Sequence, residues 1–270
     1  MRIVVDFQDE SLEFEVPPER VVASWRGPTE VNPSQQAAAL RETLENPRDF
    51  PPLRQVVVPG DTVVIAVDPT IPQPRSVCSA LVAALEEGGV EPGSLTWLVP
   101  AHVAESAVVT PPGGSSVVVH DPDDRGQLAY LASTKQGRRV YLNRLLTDAD
   151  VVVPVGRLGY DPDLGYRGPW SVLFPELSDR DTMRTQRDRP IDPASDGARE
   201  QARARLEEAL EVSWLLGTQF HLGLVPAAAG LLEPVGGRDT SVRDRGIAAL
   251  EQHWTFRVPA RAEVVVAGVG

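Results

Sequence analysis

The stretch GDTVVIAVDPTIPQPRSVCSALVAALEEGG, residues 60–89, decides the fold. Gly60-Asp61 punctuates the chain, and the TVVIAV that follows is an unbroken β-branched run, the composition of a strand buried on both faces. Pro72 to Ser76 then lead into SVCSALVAALEEGG, whose apolar residues recur at helical spacing until Gly88-Gly89 stop them. A strand, a loop and a helix in that order are the first half of a βαβ unit.

The same theme continues downstream. SLTWLVPA reads as a second strand ending at His102, SSVVVHD as a third ending at His120 and Asp121, and ADVVVPVG as a fourth ending at Gly156. Between the last two, Gln127 to Asn143 reads as a hairpin-type insertion, followed by a short helix in LNRLLTDA. Apolar strands alternating with helices predict an α/β fold with an open, doubly wound, mostly parallel sheet. Such sheets bind ligands beyond the carboxyl ends of their strands. Asp68, His102, His120, Asp121 and Gly156 all fall at such ends. No GxGxxG follows the first strand and no GxxxxGK[ST] occurs, so no nucleotide motif is present.

Composition narrows the function classes. The chain has 270 residues, with 26 Lys and Arg against 38 Asp and Glu, a net charge of -12. That excess repels phosphate backbones and anionic lipid, so neither nucleic acid nor a membrane surface is expected as a partner. With 42% apolar residues the chain can bury a sizeable core, while 25 prolines and 22 glycines imply many short elements. Cys78 is alone, so no intrachain disulfide forms, and its apolar surroundings read as those of a buried thiol. The N-terminus, MRIVVDFQDESLEFEV, alternates like a strand and carries acids early, which argues against a secretion signal; a cytoplasmic location is expected. Val212 to Leu232 is uncharged and about long enough to span a bilayer, but Gly217, Gly223, Pro226 and Gly230 interrupt it. It reads better as a helix ending near Gly217 followed by a buried strand from Gln219 to Pro226. Lys135 is the only lysine.

Residues 178–205 are rich in charge and turn formers, and Ala198 to Leu216 is helical, with charges spaced for i,i+4 pairs on a solvated face. AEVVVAGVG, residues 262–270, has a buried-strand pattern with no helix after it. His221 lies inside a strand pattern and His253 in a helix, both read as structural. The widely spaced histidines make no metal motif. Trp25-Arg26-Gly27-Pro28-Thr29 reads as an exposed segment that caps the cleft or contacts a second subunit, with packing of Trp25 on a neighbouring turn the simpler reading; a homo-oligomer is compatible with it.

The run ALRETLENPRDFPPLRQVVVPGDTVVIAVDPTIPQPRSVCSALVAALEEGG followed by LTWLVPAHVAES resembles the N-terminal domain of the nickel-pincer lactate racemase family, and DADVVVPVGRLGYDPDLGYRGPWSVLFP continues the likeness. The resemblance covers essentially the whole chain. It implies a Rossmann-like sheet with helices on both faces, a domain over residues 1–260, and the start of a second lobe, absent or truncated, at 261–270. In that family a pincer compound is tethered through a lysine and holds nickel, which a histidine ligates, while two histidines exchange the substrate's hydroxyl proton. By resemblance His102 stands at the first catalytic histidine and Asp68 at the substrate-side aspartate. Ile71 replaces the motif's arginine, Asp161 falls at the second histidine, Trp170 or Ser171 at the lysine, and Arg187 at the nickel ligand.

These substitutions carry chemical weight. A tether needs a nucleophilic amine, arginine stays protonated, and Lys135 sits in another segment. Nickel favours imidazole and sulfur donors, and a cationic arginine repels it. No cofactor and no metal are therefore expected. His102 with Asp68 reads either as an imidazole oriented by a carboxylate for acid and base work or as two polar residues bonded at a sheet edge. Asp161 replaces the lost histidine or closes an Asx-type turn in Tyr160-Asp161-Pro162-Asp163. Thr70, Arg157, Arg167 and Arg187 are the candidate ligand-binding residues, the arginines suited to bidentate capture of a carboxylate or phosphate. The expected partner is a small anionic, hydroxylated molecule. Two functions fit: a divergent 2-hydroxy-acid racemase or epimerase, or a non-catalytic anion-binding or assembly domain derived from that fold.

Overall fold

The computed structural model describes residues 1–7, 10–100, 111–161, 165–188, 191 and 195–266. His102, the first of the expected catalytic residues, lies outside them. The strands are β1 (Arg2–Phe7), β2 (Glu10–Glu15), β3 (Val63–Val67), β4 (Leu95–Val99), β5 (Ser116–Val119), β6 (Leu128–Ser133), β7 (Arg139–Asn143), β8 (Val151–Arg157), β9 (Gly159–Asp161), β10 (Gly165–Arg167), β11 (His221–Pro226) and β12 (Leu231–Gly237). The helices are α1 (Pro33–Glu45), α2 (Pro74–Glu87), α3 (Arg144–Asp148), α4 (Pro169–Leu173), α5 (Arg180–Arg187), α6 (Ala198–Leu215) and α7 (Asp239–Trp254).

Six strands form one sheet in the order β12-β11-β8-β3-β4-β5. β11, β8, β3, β4 and β5 run parallel, and β12 pairs antiparallel at one edge. The chain moves outward from β3 through β4 to β5, then returns to the other side of β3 as β8. The strand order therefore reverses between β3 and β8, where the loops leaving the two strands diverge and open a crevice.

Strand periodicity distributes the core. Val63, Ile65 and Val67 of β3 face one way and pack with Leu40 and Leu44 of α1 and with Val77, Leu81 and Leu85 of α2. Val64 and Ala66 face the other way, onto Leu142 of β7, Trp170 and Leu173 of α4, and Leu206 and Leu210 of α6. Helices thus cover both faces, which is why β3 shows no polar alternation. At full burial each such Val or Leu contributes about 1.5–3 kcal/mol, making β3 the anchor that the cleft residues lean on.

Two expectations change and one holds. The charge-rich segment after residue 178 contains a helix, α5, started by Asp179, whose carboxylate accepts from the Thr182 N–H at 3.0 Å. The run 212–232 divides as read from the sequence, into the end of α6, β11 and then the start of β12, and no helix among the described residues is long and apolar enough to cross a membrane. Residues 261–266 form no strand, and Val264 and Val265 are 75% and 85% exposed, because a strand pattern forms a strand only where an edge is there to pair with it.

Candidate functional site

Asp68 is the residue immediately after β3. Its own N–H donates to the Val155 carbonyl of β8 at 2.9 Å, which ties it to the reversal point. Its carboxylate is buried and accepts at Oδ1 from the Thr70 N–H at 2.8 Å and from the Thr70 hydroxyl at 2.7 Å. The Asp-Pro-Thr spacing closes this small turn, and Pro69 cannot continue the strand.

β8 ends at Arg157, and the chain then folds into the β9–β10 hairpin, which carries Tyr160, Asp161, Tyr166 and Arg167. Two glycines let it sit close. A Cβ on Gly156 would lie 2.8 Å from the Gly168 carbonyl carbon, and Gly165 combines φ +76° with a contact in which a Cβ would lie 2.8 Å from the Ala202 Cβ of α6. Held there, Arg167 reaches two carboxylates, with Nη2 at 3.6 Å from Asp68 Oδ2 and Nη1 at 3.3 Å from Asp161 Oδ2. Residues 162–164, where the sequence reading put an Asx-type turn after Asp161, lie outside the described set.

These groups line a cleft of about 560 Å³, whose other walls are Pro226 at the end of β11 and Leu250, Glu251, Trp254 and Thr255 at the end of α7. Trp254 is fixed in place by its indole N–H, which donates to the Pro226 carbonyl at 2.8 Å. Trp25 packs on it edge to face with centroids 5.7 Å apart and stacks on Phe256 at 5.4 Å, so the N-terminal tryptophan buttresses the cleft rim. Tyr166 has its pKa raised by burial and then by the neighbouring Glu251 carboxylate. Arg157 makes no ion pair or hydrogen bond among the described residues and is the cleft's uncommitted cation.

Asp68, Thr70, Arg157, Asp161 and Arg167, five of the residues singled out from the sequence, therefore share one cleft. Arg187 does not line it: on α5 it binds the buried Glu176 carboxylate at 3.1 and 3.3 Å, and that ion pair consumes its charge. His120 does not join it either. It is fully buried, its Nε2 lies 2.8 Å from the Ser178 carbonyl, and its Nδ1 accepts from the Asn143 amide at 3.1 Å. Burial lowers its pKa despite the opposing Ser178 carbonyl. Tyr160, Tyr166, Glu251 and Trp254 carry no sequence signal for the site, because three of them are ordinary amphipathic residues and Trp254 reaches β11 only through the tertiary fold.

The residues at the expected tether do not fit a lysine-bound group. Trp170 and Ser171 are both buried, Trp170 in the core, and Lys135 is exposed at the β6–β7 turn, where its backbone N–H donates to Glu211 at 2.8 Å. Among the described residues no three His, Cys, Asp or Glu side chains gather to hold a metal ion.

A family model described as the lactate racemase N-terminal domain matches residues 7–196. Among solved structures, the chain is similar to the lactate racemase apoprotein from Thermoanaerobacterium thermosaccharolyticum, at 17% identity and a TM-score of 0.73, covering 94% of this chain and 63% of that one. It is also similar to a structural-genomics protein from Thermotoga maritima, at 12% identity and a TM-score of 0.59, covering 84% and 60%. At these identities the likeness is one of fold, and the chain spans less than two thirds of either relative. No curated protein matches the sequence.

Proposed function

The chain belongs to the lactate racemase N-terminal domain family, and on that footing we propose that it binds a small hydroxylated carboxylate in the cleft between the ends of β3 and β8, without a lysine-tethered nickel-pincer cofactor. The observation that carries this reading is Arg157, a guanidinium that makes no ion pair among the described residues and lines a cleft whose other described cation, Arg167, faces Asp68 and Asp161. A carboxylate can take two parallel N–H bonds from it. Asp68 and Thr70, fixed to one another, lie where the hydroxyl of the same ligand would be met. Arg167 neutralises Asp68 and Asp161 together and fixes their orientation, which prepares the site before any ligand arrives.

A divergent 2-hydroxy-acid racemase or epimerase is the second reading, favoured by family membership and by where His102 falls in the sequence. β4 pairs with β3 up to Ala66 and Leu98, and His102 follows shortly after β4 ends at Val99. In that reading His102 exchanges the hydroxyl proton and Arg157 holds the carboxylate.

Calorimetric titration of the purified protein with enantiomerically pure 2-hydroxy acids tests both. Saturable binding with the enantiomer unchanged is expected; turnover that His102→Ala abolishes would establish the second reading, and no binding of any hydroxy acid would refute the cleft assignment. Intact mass should equal that of the bare chain, and a covalent adduct or stoichiometric nickel would overturn the absence of the tethered cofactor.

A further inference from the structure

We infer that the ligand of this cleft is a polyhydroxylated monocarboxylate of sugar-acid size, lying with a C–H face on Trp254 and donating its hydroxyls to carboxylates. The inference rests on the binding reading above and adds three observations.

The first is charge. Among the described residues the cleft lining carries three carboxylates, Asp68, Asp161 and Glu251, against two guanidiniums, Arg157 and Arg167, an excess of one negative charge. Carboxylates only accept hydrogen bonds, so this wall asks for donors. A hydroxyl-rich ligand supplies them, whereas a phosphate ester or dicarboxylate brings a second negative charge against that excess. A neutral sugar, in turn, leaves Arg157 without a partner.

The second is the aromatic surface. Trp254 lines the cleft, with its indole N–H donating to the Pro226 carbonyl and Trp25 packed on its ring. Tyr160 and Tyr166 make a perpendicular pair, centroids 5.6 Å apart, on the hairpin that forms another wall. Rigid aromatic faces beside hydrogen-bonding groups suit a ligand with one apolar and one polar face, as a polyol chain or a pyranose has.

The third is size. At about 560 Å³ the cleft is several times larger than a three-carbon acid and falls in the range of roughly 300–1,000 Å³ used for larger ligands. A lactate on Arg157 would fill only a small part of that volume.

The experiment is a calorimetric panel on the full chain with gluconate, glucuronate, lactate, glucose and glucose 6-phosphate. Gluconate or glucuronate should bind at least about tenfold tighter than lactate, the effect of one or two added hydrogen bonds, and glucose and its phosphate should not saturate. Lactate binding as tightly as both sugar acids would overturn this inference while leaving the binding reading intact, whereas no carboxylate binding at all would overturn that reading itself. Glu251→Gln, at an exposed helix position, should weaken the better sugar acid severalfold and leave lactate unchanged; an unchanged sugar-acid affinity would contradict the wall assignment. Trp254→Phe should retain most of that affinity and Trp254→Ala lose it, with circular dichroism verifying the fold of each.

Discussion

Three parallel strands of the same sheet end in polar residues, and they end in two different ways. At the ends of β3 and β8, Asp68 and Arg157 open onto a cleft, with Arg157 making no ion pair among the described residues. Beyond β5, His120 is sealed in protein, its ring nitrogens taken by Ser178 and Asn143. In sequence the two look alike: an apolar run, then a group capable of acid and base chemistry. The difference is topological. β3 and β8 flank the reversal in strand order, where connections diverge, while β5 is an edge strand whose end is covered by the segment around α4 and α5. Position in the sheet, more than residue type, separates a cleft-lining group from a buried one.

The sharpest way to break that contrast is at the sealed end. His120→Ala removes a buried ring and strands the Asn143 amide and the Ser178 carbonyl, so stability should fall by about 4 kcal/mol in urea unfolding, with no change in ligand affinity. A smaller loss of stability together with weakened binding would place His120 in the site after all.

Acid should show the same closure at the amino edge. His221, which opens β11, is buried with its Nε2 2.8 Å from the Ser213 hydroxyl, and desolvation takes its pKa down to about 4, against an opposing pull from Asp239. The folded chain therefore keeps it neutral where the unfolded chain protonates it. Stability should be full above about pH 6.5 and fall by about 3 kcal/mol as pH drops toward 4, with His120 adding in the same direction. Thermal melts across that range check it, and His221→Gln should remove much of the slope.

At the open end, effects on stability shrink and effects on binding grow. Asp68→Asn keeps the turn to Thr70 but loses the ion pair with Arg167, costing about 1–2 kcal/mol and weakening binding of a hydroxylated acid. Arg157→Gln should change stability by less than about 0.5 kcal/mol, because nothing in the described structure leans on it. A large loss from Arg157→Gln would mean that the arginine is structural, and the contrast between the two ends would fail.

The sheet was legible in the sequence because its central strands are buried on both faces and read as continuous β-branched runs. The edge to search was legible too, since Asp68 and Arg157 follow directly from where those runs stop. The assembly of the site was not. Arg167 meets Asp68 across about a hundred residues of chain, and α7 brings Trp254 to the end of β11, neither of which any local pattern encodes. Arg187 shows the converse: its guanidinium looked suited to an anion, but Glu176 had already claimed it, a pairing between α5 and the turn before it that charge counting does not reveal. The short β9–β10 hairpin escaped because its strands are three residues each, below the length at which alternation is readable.

The central claim is that Arg157, at the reversal of the sheet, anchors the carboxylate of a small hydroxylated ligand. Isothermal titration of wild type, Arg157→Gln and Arg187→Gln with the tightest-binding hydroxy acid tests it directly. Arg157→Gln should lose affinity by about tenfold or more while Arg187→Gln binds like wild type. Equal losses in both variants, or none in Arg157→Gln, would contradict it.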